Sequence, residues 1–122
     1  MKAKILLVDD SGMARRAVRQ MLESAGYDVA EAEDGMIGLE RYFLEKPDLV
    51  LLDLVMKGMN GLDVLTKLQQ LDPTVRVIVV SADVQDSSRE MAVAAGASGF
   101  INKPVDRVGL LAAVARALEG TV

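Results

Sequence analysis

Four short apolar runs constrain this chain most: Ile5-Leu6-Leu7-Val8, Leu49-Val50-Leu51-Leu52, Val77-Ile78-Val79-Val80 and Phe100-Ile101, each separated from the next by at least one segment of helical length. Runs without polar alternation are strands buried on both faces, which is the habit of a parallel sheet covered by helices. A fifth, weaker strand lies at residues 27–32, where Tyr27, Val29 and Ala30 interleave with Asp28 and Glu31 as an edge strand allows.

The intervening segments carry helix punctuation. Residues 11–25 place Ala14, Val18, Met21, Leu22 and Ala25 on one face and Arg15, Arg16, Arg19 and Glu23 on the other, so the arginines read as a solvated surface. Ser11 is the expected N-cap and Gly26 the left-handed C-terminal stop. Asp34 caps a second helix that ends before Pro47, and Asn60 a third that carries Leu62, Leu65 and Leu68 and ends at Asp72-Pro73. A fourth runs from near Asp86 to Gly96. The last follows Pro104, carries Val108, Leu111, Ala115 and Leu118 as its apolar positions, and stops at Gly120. Five βα units joined by right-handed crossovers form a three-layer α/β domain, with ligands bound beyond the carboxyl ends of the strands.

Composition narrows the chemistry. At 122 residues the chain is one domain without linker or repeat. With neither Cys nor His, it has no thiolate or imidazole for catalysis, metal binding or phosphoryl transfer, leaving carboxylates, hydroxyls and amines. A net charge of -4 gives no electrostatic basis for direct nucleic-acid binding. The first apolar run is too short for a signal-peptide core or membrane insertion, so a cytoplasmic location is expected.

Asp9 and Asp10 follow the first strand and Asp53 the third; the fourth strand ends at Ser81 and the fifth just before Lys103. Taken singly, an aspartate or serine there is an ordinary turn or cap residue, and a lysine before proline an ordinary surface group. Their conjunction at one end of a sheet is what points to a site. Two carboxylates about 4 Å apart repel by roughly 4 kcal/mol at an intermediate effective dielectric, so such a cluster calls for a cation. Oxygen-only donors select a hard ion, Mg²⁺ above all. Beside Mg²⁺ and Lys103, the Asp53 carboxylate is placed to accept a phosphoryl group as an acyl phosphate, with the Ser81 hydroxyl donating to one of its oxygens.

The opening Val8-Asp9-Asp10-Ser11, the stretch Leu51-Leu52-Asp53-Leu54-Val55-Met56, Val80-Ser81-Ala82, and the run from Ala95 through Gly99-Phe100-Ile101-Asn102-Lys103-Pro104 together resemble the receiver domain of bacterial response regulators, over nearly the whole chain. The resemblance implies a flavodoxin-like, doubly wound five-stranded parallel sheet of order 2-1-3-4-5, an order known for the chemotaxis member of the family, with five helices in three layers. It implies a single receiver domain over residues 1–122 with no output domain. Asp53 is then the phosphoacceptor; Asp9, Asp10, Asp53 and the backbone carbonyl of Val55 are Mg²⁺ ligands; Ser81 and Lys103 contact the phosphoryl group. Phe100 becomes an aromatic switch coupled to Ser81, and the Lys103-Pro104 bond is cis. The donor is a histidine kinase or phosphotransfer protein, and the target is a protein docked on the fourth helix, fifth strand and fifth helix.

Competing readings fit less well. Scarce aromatics, two Tyr and two Phe, leave little to sandwich a flavin. Aspartyl phosphatases place a second Asp where this chain has Val55, and no Walker loop is present. A non-phosphorylated adaptor of the same fold is the runner-up. Lys57 occupies a place where many family members have proline, and Val55 and Asp83, two past Asp53 and Ser81, flank the path of an attacking water. Apolar Val55 offers that water no hydrogen bond, which predicts slow self-dephosphorylation. After donor removal, loss of phosphate should be slower in the native protein than in Val55→Asn; loss within seconds in both would contradict this.

Overall fold

The computed structural model describes residues 2–82 and 86–119. Strands and helices alternate as β1 (Lys4–Val8), α1 (Gly12–Ser24), β2 (Asp28–Ala32), α2 (Gly35–Glu45), β3 (Leu49–Asp53), α3 (Gly61–Leu71), β4 (Val77–Ser81), α4 (Asp86–Ala94), β5 (Gly99–Asn102) and α5 (Arg107–Leu118). The strands form one parallel sheet in the order β2-β1-β3-β4-β5. This is the doubly wound, flavodoxin-like fold expected. Register pairs Val8 with Leu52, Asp53 with Val80 and Ser81 with Asn102, so β1, β3, β4 and β5 end at one rim.

Alternation along the strands divides the core in two. Leu6, Val8, Val50, Leu52, Val77 and Val79 face α2, α3 and α4, where they meet Tyr42, Val64, Leu65, Leu68 and Ala92. Ile5, Leu7, Leu49, Leu51, Ile78 and Val80 face α1 and α5 and meet Leu22, Leu110 and Val114. β2 is the half-buried edge.

Four helices start on side-chain caps. Ser11 accepts from the Ala14 N–H at 3.2 Å, Asp34 from Ile37 at 2.8 Å, Asn60 from Leu62 at 2.8 Å and Asp106 from Gly109 at 2.9 Å. Each satisfies a helix N–H that has no partner within its own helix. Gly26, with φ 94°, makes the left-handed stop after α1.

Four local readings change. Asp53 is the last residue of its strand, not the first beyond it, whereas β4 ends at Ser81 as expected. α5 buries Leu110 and Val114, whereas Val108 is 79% exposed and Ala115 also faces solvent. That helix is apolar on most sides, so several helical stripes fit its sequence and periodicity does not choose among them. Ala25 is exposed at the end of α1. Arg15 and Arg19 are ion-paired to Glu31 of β2, so this part of the helix is not a free solvated face. The readings of Asp83 and Gly120 lie outside the described residues.

α3 approaches the end of β3 closely. A Cβ at Gly61 would stand 2.4 Å from the Asp53 carbonyl oxygen and 2.6 Å from Leu54 Cα, both backbone atoms that yield little. Gly61→Ala is expected to lower stability by about 2 kcal/mol in denaturant unfolding. Gly12→Ala, which meets only the tip of Arg15 at 3.7 Å, should be neutral or better. Equal midpoints for the two variants would contradict this account of the β3–α3 junction.

Candidate functional site

The rim at the carboxyl ends of the strands gathers four charged groups from three segments. Asp9 and Asp10 enter from the β1–α1 loop, Asp53 from the end of β3 and Lys103 from just beyond β5. One carboxylate oxygen of each aspartate lies within 4.8 Å of the others. The Lys103 ammonium donates to Asp53 Oδ2 at 2.9 Å and to Asp9 Oδ2 at 3.4 Å.

Backbone amides hold the acids in place. Asp53 Oδ1 accepts from the Val55 N–H at 3.1 Å, Asp9 Oδ1 from Ser11 at 2.9 Å and Asp10 Oδ2 from Lys57 at 3.0 Å. The last of these needs an N–H at position 57, which Lys57 has and a proline would lack. Lys103 is anchored through its own N–H, which donates to the Ser81 carbonyl at 2.8 Å, and its bond to Pro104 is cis.

Ser81 stands apart from this group. It is fully buried, and strand alternation puts its side chain with Val77 and Val79, on the α2–α4 side, whereas Asp53 falls in phase with Leu49 and Leu51 on the α1–α5 side. Phe100 shares the Ser81 side. It is half-buried against the core there, with the Arg89 guanidinium 5.2 Å from its ring centre. Val55 is exposed. The structure thus unites Asp9, Asp10, Asp53 and Lys103, and places Ser81 and Phe100 next to them on the opposite face of the sheet.

With this arrangement in view, the chain can be set beside known proteins. The model of the response regulator receiver domain matches residues 5–115. The chain belongs to this family. Among its relatives are the chemotaxis protein CheY of Thermotoga maritima, 39% identical over 85% of this chain and 88% of that one, and CheY of Bacillus subtilis, 38% identical over 98% and 100%. A CheY-like receiver from Methanospirillum hungatei superposes with a TM-score of 0.92 at 30% identity, covering 98% of this chain and 96% of that one. CheY in a CheX-CheY-BeF3-Mg²⁺ complex from Borrelia burgdorferi superposes with a TM-score of 0.89 at 31% identity, over 92% and 86%. Among the described residues of the receiver, no helix is long and apolar enough to cross a membrane.

The receiver's rim is electrostatically uneasy. Burial raises the Asp53 pKa, and the nearby Asp9 charge adds to this; hydrogen bonds from Lys103 and Val55 oppose the rise without cancelling it. Burial lowers the Lys103 pKa, but the hydrogen bond to Asp53 and the charges of Asp53 and Asp9 outweigh it and leave the ammonium above its usual range. On one side the wall is apolar: a cavity of about 210 Å³ runs from Asp53 and Lys103 between α1 and α5, past Ala14, Val18, Met21 and Leu51. That wall removes water that would otherwise solvate the carboxylate.

Sequence reasoning missed Arg15. Its Nε donates to Glu31 Oε1 at 2.9 Å and its Nη1 to the Asp9 carbonyl at 2.5 Å, with the side chain only 17% exposed. The signal was available: Arg15 lies two turns before Leu22, almost on the same helical stripe as that fully buried residue. The amide donors of Val55, Ser11 and Lys57 had no such signal, because every residue except proline carries one.

The crowding has a consequence for stability. Asp53→Asn keeps the shape, removes one buried charge and relieves its repulsion with Asp9 and Asp10, at the expense of the bond to Lys103. In metal-free buffer at neutral pH the variant should be more stable than the native receiver by about 1 kcal/mol in denaturant unfolding. A destabilised Asp53→Asn would show instead that the Lys103 pair outweighs burial and repulsion.

Proposed function

We propose that this receiver is a Mg²⁺-dependent phosphorylation switch: Asp53 accepts a phosphoryl group, and the modified protein signals through a protein-binding surface. The observation that carries the proposal is the clustering of three carboxylate oxygens within 4.8 Å beside a lysine ammonium 2.9 Å from the buried Asp53. The donor set is oxygen only, which fits a hard cation. Asp9, Asp10 and Asp53 would hold Mg²⁺, with the Val55 carbonyl as a further ligand. When bound, that ion neutralises charge on the phosphoryl oxygens.

The protein's own part is positioning. An Asp53 carboxylate oxygen forms the new bond to phosphorus as the donor's bond to phosphorus breaks, and the electron pair leaves with the donor group. Lys103 exchanges its contact with the Asp53 carboxylate for one with a phosphoryl oxygen and remains the nearby positive charge. Ser81 lies on the other side of the sheet at the end of β4, so a shift of that strand end brings its hydroxyl to the acyl phosphate. Phe100, on the same side, follows that motion into the space it vacates. The change is then readable on the face made by α4, β5 and α5, where Met91, Val93 and Val108 are exposed.

Such a chain catalyses its own phosphorylation and dephosphorylation and has no other substrate. Lacking histidine, it takes the group from a histidine kinase, a phosphotransfer protein or a small phosphodonor, in the cytoplasm. Incubation with a small phosphodonor and Mg²⁺, followed by intact-mass measurement, tests this. The native chain should gain one phosphoryl mass, and Asp53→Asn or omission of Mg²⁺ should abolish the gain. No gain by the native chain under donors that modify related receivers would favour the adaptor reading.

A further inference from the structure

We propose that Arg15 is a positioning residue for the β1–α1 loop: its guanidinium, held by Glu31 of β2, grips the backbone carbonyl of Asp9 and so fixes where Asp9 and Asp10 present their carboxylates. The inference rests on the Mg²⁺ reading of the cluster and adds a residue to it.

The parallel ladder between β1 and β2 ends with Val8 opposite Ala32. One further bond continues it, from the Asp9 N–H to the Ala32 carbonyl at 3.1 Å. Among the described residues β2 offers the loop no further backbone hydrogen bond, and the Asp9 carbonyl is met by Arg15 Nη1 at 2.5 Å. That carbonyl belongs to the peptide unit that also contains the Asp10 nitrogen. A planar peptide turns as one body, so restraining the carbonyl sets the direction in which the chain enters Asp10. Both ends of Asp9 are thus tied to the edge strand, one directly and one through a side chain.

Glu31 gives the guanidinium its fixed point. Burial raises the Glu31 pKa, but hydrogen bonds from Arg19 and Arg15 outweigh it and hold the carboxyl below its usual range, so it stays ionised at neutral pH. Its two oxygens are divided between the arginines: Oε1 takes Arg15 Nε at 2.9 Å, and Oε2 takes Arg19 Nη1. Arg19 has a second partner in Glu23 at 3.2 Å and, among the described residues, makes no hydrogen bond to the loop. Arg15 is the member of the network that touches the acid loop. The planar guanidinium suits this double task, since Nε and Nη1 point to different partners from one rigid group.

Groups that orient metal ligands typically change metal affinity by 10–100-fold when removed. The test is an amide NMR titration with Mg²⁺ on the full chain, comparing native protein with Arg15→Met, Glu31→Gln and Arg19→Gln. Arg15→Met keeps much of the apolar stem but loses the donors, and its Mg²⁺ Kd should rise about tenfold. Glu31→Gln should weaken binding about threefold, and Arg15→Met/Glu31→Gln should be no worse than Arg15→Met alone, because Glu31 acts through Arg15. Arg19→Gln, which cuts the α1–β2 tie but not the bond to Asp9, should stay within about twofold of native. An Arg15→Met Kd equal to native, or an equal loss in Arg19→Gln, would overturn the role and leave only a helix-to-strand tie. If Arg15→Met fails to fold, Glu31→Gln decides: a native Kd overturns the proposal. Absence of Mg²⁺ binding by native protein would overturn the metal reading itself, a result distinct from both.

Discussion

The mutual repulsion of Asp9, Asp10 and Asp53 organises the functional end of this molecule. Three carboxylates within 4.8 Å, one of them 6% exposed, oppose folding unless positive charge is close. Lys103 supplies part of it, and amide donors from Ser11, Val55 and Lys57 supply more. The fold supports this arrangement with two apolar layers that cover the central strands of the sheet. A stable core lets a locally unfavourable cluster persist, as is common where a site is built for a ligand.

The sheet also separates the parts of the proposed switch. Asp53 and Lys103 work on the α1–α5 side, whereas Ser81 and Phe100 sit on the α2–α4 side. A covalent event on one face can be read on the other only through movement at the end of β4, where the Ser81 carbonyl already holds the Lys103 backbone. Arg89 over Phe100 helps define the resting position of that ring. On the opposite edge, the Glu31–Arg15–Asp9 chain of contacts holds the acid loop still.

Much of this was legible in the sequence for physical reasons. Buried parallel strands appear as unbroken aliphatic runs, and the capping residues Ser11, Asp34 and Asn60 mark helix starts because the side-chain acceptor must be there. Asp9, Asp10, Asp53 and Lys103 could be grouped because a parallel sheet sends the ends of its strands to one rim. The buried stripe of α5 was not legible, since a nearly uniform apolar helix has no preferred face. Nor was the side of the sheet taken by Ser81 relative to Asp53 apparent: it depends on the pairing of β3 with β4, which sets Asp53 beside Val80 rather than Ser81. Arg15 was misread because an arginine on an amphipathic helix is ordinarily solvated, and only the third dimension brings Glu31 and the Asp9 carbonyl to it.

The central claim is that the acid cluster is a site awaiting a divalent cation, and ligand linkage tests it most directly. Native protein should unfold at progressively higher denaturant as Mg²⁺ is raised, following RT ln(1 + [Mg²⁺]/Kd), while sodium chloride at matched ionic strength gives a smaller, non-saturating change. A midpoint that moves identically in the two salts would contradict the account.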